Sequence, residues 1–135
     1  MVKMKAVYEG NLRCVLTHES SGSTIQTDAP KDNMGKGERF SPTDLVGAAL
    51  AGCVLTTMAI VAKRDGVELT GAHAEVSKEM ITTPSRRIGA LPLTVTLPAS
   101  LPADYRAKLE NAARTCPVHK SLHPDLKADI TFVYA

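Results

Sequence analysis

The chain has few aromatic residues, and its basic residues form no cluster. Three Tyr and two Phe are all that 135 residues contain, and 16 Lys and Arg stand against 14 Asp and Glu for a net charge of +2. A nucleic-acid surface, which needs a basic stripe and stacking rings, is therefore not expected. The opening MVKMKAVYEG lacks the apolar stretch of a secretory signal. Cysteine is scarce as well. Three thiols do not build a disulfide framework, so reactive or buried thiols in a reducing, cytoplasmic setting are expected.

Charge is absent from residues 45–62, and about 18 such residues is the lower limit for a membrane span. That run holds five Ala, two Gly and two Thr. Small residues suit a helix packed closely on all sides by protein, so a buried central helix is expected rather than a membrane segment. With 44% hydrophobic residues, the chain reads as one globular domain over residues 1–135 with a substantial core.

Periodicity places strands at 2–8, 12–18 and about 23–28, with a turn at Glu9-Gly10-Asn11. Residues 30–41, rich in Gly, Lys and Asp, form a loop placed to act as a lid. Ser41 reads as the N-cap of the central helix, Pro42 as its first residue and Asp44 as its capping-box partner. Lys63-Arg64-Asp65-Gly66 ends that helix. Two longer strands are expected at 72–81 and 86–97, an amphipathic helix at 103–115 with Tyr105, Leu109 and Ala112 inward, a short helical turn at 117–122 and a last strand from Lys127 to Tyr134. The sum is an α+β domain.

Two cysteines stand in different contexts. Cys53 lies in the middle of LVGAALAGCVLTTMAIVA, and Cys116 opens CPVHKSLHP after the second helix. A thiol reacts as thiolate, and burial among apolar groups disfavours the anion. Cys53 is thus an ordinary core residue unless a group nearby favours its charge; Arg13 and Arg39 are the candidate cations. Cys116 is expected at a helix end, partly exposed. Cys14 reads as a strand residue without a role. Cys116, His119 and His123 share a face if the turn stays helical, but no fourth metal ligand is apparent, so no metal is expected.

The stretch FSPTDLVGAALAGC, residues 40–53, resembles the sequence leading to the peroxidatic cysteine of the OsmC/Ohr peroxiredoxin-like family. CPVHKSL at 116–122 resembles that family's second cysteine motif, and YEGNL at 8–12 its N-terminal strand. The resemblance spans nearly the whole chain. It implies an OsmC-like fold, with antiparallel sheets wrapped around the central helix, in an intertwined homodimer whose two active sites use both chains. It implies an organic hydroperoxide reductase that needs no metal, haem or flavin. Cys53 would form a sulfenic acid, Cys116 would close a disulfide with it, and an external dithiol such as a protein-bound lipoyl group would reduce the bond. No nucleic acid or membrane partner is implied. By the same resemblance Arg13, with Arg39 as fallback, would hold the thiolate. Where the family places a glutamate to orient that arginine, this chain has Thr43; Asp44 and Glu38 are the substitutes. Leu50, Met58, Met34 and Phe40 read first as ordinary core or interface packing, with an apolar pocket wall as the second reading. A non-catalytic protein of this fold, favoured by Thr43, and a redox sensor are the alternatives.

Overall fold

The first 28 residues form three strands joined by tight turns. In a computed structural model that describes residues 1–135, these are β1 (Met4–Gly10), β2 (Arg13–His18) and β3 (Thr24–Asp28), antiparallel in the order β1-β2-β3. Gly10, Asn11 and Leu12 all take positive φ in the first turn, where the register shifts by a bulge after Tyr8. The β2–β3 register sets Arg13 directly opposite Asp28 and Cys14 opposite Thr27. The lid follows as a 3-10 turn at Lys31–Asn33 and an irregular run to Phe40. At Gly35 a Cβ would lie 1.7 Å from the Ala29 carbonyl oxygen, so only glycine fits there.

The chain folds into two compact units, Met1–Leu45 and Val46–Ala135. The first has Thr27, Asp28 and Ser41 as its buried residues and buries no hydrophobic side chain; Met4, Val7, Tyr8, Leu12, Ile25, Met34 and Phe40 are exposed.

Helix α1 runs from Pro42 to Arg64. Its start is a reciprocal cap: the Asp44 carboxylate accepts the Ser41 N–H at 2.9 Å, and the Ser41 hydroxyl accepts the Asp44 N–H at 3.0 Å. Gly47, Leu50, Val54, Met58 and Ala62, one or two turns apart, form its buried stripe. The expectation of burial on all sides is corrected here, because Ala49, Gly52, Thr56, Ala59 and Ile60 on the other side are exposed. By length and composition α1 is also long and apolar enough to cross a membrane. Its stripe nevertheless packs into a protein core.

That core belongs to the second unit, which continues with β4 (His73–Val76), β5 (Glu79–Ile81), β6 (Arg87–Ala90), β7 (Leu93–Leu97), α2 (Ala103–Arg114), α3 (Pro117–Ser121) and β8 (Ile130–Tyr134). Each of the two long strands expected at 72–81 and 86–97 is broken in two. Pro92 has no N–H to continue the ladder, and its carbonyl instead takes the Ser77 N–H at 3.1 Å. The main sheet has the order β4-β7-β8, with β5-β6 as a separate pair. Pairing is antiparallel except between β7 and β8, which are parallel. A parallel pair needs a long crossover, and α2 with α3 supplies it. Alternate residues Leu93, Val95 and Leu97 face inward with Leu91, meeting Leu109 and Ala113 of α2 and the α1 stripe. Each fully buried Leu or Val side chain contributes about 1.5–3 kcal/mol. Arg106 stacks on Tyr134 at 4.1 Å, and the Tyr134 hydroxyl donates to Glu110 at 2.6 Å, which pins α2 to β8.

Candidate thiol site and an arginine–aspartate pair

The second unit brings Cys53 and Cys116 together. Cys53 stands mid-way along α1, half-buried and packed against the core that includes Cys116. Cys116 is the N-cap of α3, and its sulfur accepts the His119 N–H at 3.4 Å. Partial exposure was expected for Cys116; it is fully buried, because the α2–α3 corner folds it under Leu109 and Ala113. Both thiols are free, as is Cys14.

Their electrostatics differ in sign. Burial works against the Cys53 anion, but three hydrogen bonds outweigh it: from the Cys116 thiol, the Val118 backbone N–H and the Thr57 hydroxyl, whose oxygen lies 3.9 Å from the sulfur. Cys53 therefore ionises below the usual thiol range. Cys116 is pushed the other way, first by burial and then by the hydrogen bond to Cys53. When the pair loses one proton, these opposite shifts favour the anion on Cys53 and the remaining proton on Cys116. That is the division expected of a nucleophile and a waiting second thiol.

The first unit carries Arg13, the cation expected from the sequence. Arg13 Nε donates to Asp28 Oδ1 at 2.6 Å and its Nη2 to Oδ2 at 2.9 Å, a bidentate fork. Asp28 is only 1% exposed and also accepts the Glu38 N–H at 3.1 Å. The Arg13 fork holds the Asp28 carboxyl below its ordinary range against the opposing effect of burial. The carboxylate that grips Arg13 is thus Asp28, which sequence reasoning missed. Asp44 is engaged in the helix cap, and Thr43 lies with its hydroxyl 3.1 Å from that of Ser41. Glu38 is exposed and acts on Arg13 through space. Arg39 is exposed on the lid, donating to Gln26 at 3.4 Å and to the Glu38 carbonyl at 3.1 Å. The strand register contains the missed signal: once β2 pairs with β3, Arg13 and Asp28 are opposite neighbours.

Core packing, the first reading of Leu50 and Met58, holds. Leu50 and Met58 are 0% exposed and belong to the core, whereas Met34 and Phe40 are exposed on the lid. A cavity of about 340 Å³ lies between Gly37, Glu38, Arg39, Phe40 and Asp44. His119, weighed above for a metal, has its ring Nε2 3.2 Å from the Ala128 carbonyl oxygen.

Three-stranded first unit, long apolar helix and a second unit of sheet and helices with two adjacent thiols define a mixed helix-and-sheet protein. The profile of the OsmC-like protein family matches residues 35–131, and the chain belongs to that family. Among solved structures it is similar to a candidate osmotic stress induced and detoxification response protein from Psychrobacter arcticus 273-4, at 41% identity and a TM-score of 0.91, over 98% of this chain and 96% of that one. An organic hydroperoxide resistance protein from Legionella pneumophila has the same fold at 16% identity and a TM-score of 0.79, over 98% and 96%. So has the organic hydroperoxide resistance protein OhrB of Bacillus subtilis, at 21% and 0.68, over 98% and 97%. No curated protein matches the sequence.

Proposed function

We propose that this chain is a thiol-dependent peroxidase that reduces organic hydroperoxides. The observation that carries the reading is the hydrogen-bonded pair of free thiols with opposite tendencies to ionise. The Cys53 thiolate attacks the terminal oxygen of the hydroperoxide; the O–O bond breaks, and the alkoxide leaves with a proton as an alcohol. Cys53 is now a neutral sulfenic acid. The charge that held the proton on Cys116 is gone, so Cys116 ionises more readily and attacks the Cys53 sulfur. Hydroxide leaves as water, and a Cys53–Cys116 disulfide remains. An external dithiol, a lipoyl group among them, reduces the disulfide and is itself oxidised. Because the two thiols already interact in the reduced state, closing the bond needs no unfolding of α1.

Arg13, fixed by Asp28, is the cation assigned to the peroxide and the thiolate. The chain works as a homodimer, in which a second copy covers the apolar surface of the first unit and the outer side of α1. Two features support this. The first unit buries no hydrophobic residue of its own, and three strands need an apolar face covered to be stable. The exposed side of α1 carries Ala49, Gly52, Thr56, Ala59 and Ile60, with no charge among them. A non-catalytic role was favoured by Thr43; Asp28 removes that argument, since Arg13 has its carboxylate from another strand.

The test is turnover of an alkyl hydroperoxide with a dithiol donor. Wild type cycles, Cys53→Ser consumes no peroxide, and Cys116→Ser consumes one equivalent and stops. Normal cycling by Cys116→Ser would remove Cys116 from the mechanism.

A further inference from the structure

Thr57 lies outside every motif that resembles the family's, yet it touches a reacting sulfur. It follows Cys53 by four residues, and positions four apart on a helix are neighbours on one face. Its hydroxyl oxygen lies 3.9 Å from Cys53 Sγ. The two thiols interact, so the groups around them decide which sulfur bears the charge when one proton is lost. The Val118 N–H favours the anion on both sulfurs. The His119 N–H, at 3.4 Å, serves Cys116. The Thr57 hydroxyl serves Cys53, the less buried of the two.

Building on the peroxidase reading of this pair, we propose that Thr57 is a positioning residue that donates a hydrogen bond to Cys53 and so keeps the negative charge on the sulfur that meets the peroxide. Within the second unit, the groups that favour the Cys53 anion are the Cys116 thiol, the Val118 N–H and the Thr57 hydroxyl, all uncharged. Cys116 is the titratable group that faces it from the α2–α3 corner, and the His119 ring is turned to the Ala128 carbonyl. On α1 itself, Lys63 and Arg64 are exposed in the last turn, more than two turns away.

The experiment is alkylation of the reduced protein across pH, read peptide by peptide so that Cys14, Cys53 and Cys116 are followed separately. In Thr57→Val, close to isosteric, the Cys53 midpoint moves up by about half a unit, and its rate below the midpoint falls roughly three-fold, while Thr57→Ser keeps the wild-type profile. Thr57→Ala gives the same upward shift and stands in for Thr57→Val should that variant fold poorly. An unmoved midpoint in either folded variant overturns the inference. So does an equal shift in Thr57→Ser, which would trace the effect to packing rather than to the hydroxyl. Alkylation needs no hydroperoxide, so a wild type that fails to turn over sinks the peroxidase reading without touching this result, and an unmoved midpoint leaves that reading in place.

Discussion

At the scale of single residues, the chemistry depends on who donates to whom. Cys53 is lowered and Cys116 raised, so the reactive anion persists at a pH where an ordinary thiol, with a pKa near ~8.5, is mostly protonated. Peroxide consumption is therefore expected to rise with pH along a titration whose midpoint lies below that of an ordinary thiol; a stopped-flow pH series checks this. Asp28 works through Arg13. Replacing it by Asn loosens the fork; under the proposed peroxidase reading, ångström-scale misplacement of Arg13 costs roughly 10²-fold in rate. The same variant alters acid stability in a defined direction. The Asp28 carboxyl is depressed in the folded chain, so it stabilises the fold above its unfolded value of about 3.9, and that contribution is lost as pH falls through the lower folded value. Asp28→Asn should be less stable near neutrality and show a flatter loss of stability below about pH 4, read by acid titration of the circular dichroism.

At the scale of elements, much was legible and the failures have physical causes. The start of α1 follows from Ser41-Pro42-Thr43-Asp44 because a capping box is a local arrangement, settled within four residues. The Asp28–Arg13 fork was not legible, since it depends on which residues of two strands end up opposite, and spacing along one strand does not state that. Pro92 should have signalled a broken strand; its position in an alternating apolar run hid it. The inward stripe of α1 was readable as apolar content, whereas its bare outer side was not, because small uncharged residues look the same whether the cover comes from this chain or another. The outer side carries its own prediction. Ile60 is 47% exposed, so Ile60→Glu leaves the chain's own core intact. If a second copy covers this side, the buried carboxylate costs several kcal/mol and the dimer dissociates, which sedimentation velocity would detect. Leu109→Ala acts differently: it opens the core shared by α1, α2 and β7 and should cost about 2–5 kcal/mol in denaturant unfolding.

At the scale of the whole molecule, thiol chemistry and assembly are separable. The two sulfurs and the Thr57 hydroxyl sit in the second unit, complete with a hydrophobic core; the Arg13–Asp28 pair sits in the first, which buries only polar residues. If the chain forms the proposed dimer, disulfide formation should survive a variant that weakens it better than peroxide selectivity does. The family resemblance was legible from the two cysteine motifs, while the identity of the carboxylate behind Arg13 required the fold. The most direct measurement is a titration of the fully reduced protein with one equivalent of an alkyl hydroperoxide, followed by thiol counting and peptide mapping by mass spectrometry. The account predicts rapid loss of two thiols, a Cys53–Cys116 linkage and an untouched Cys14. Slow oxidation of all three cysteines, or a sulfenic acid on Cys53 that never links to Cys116, would contradict it.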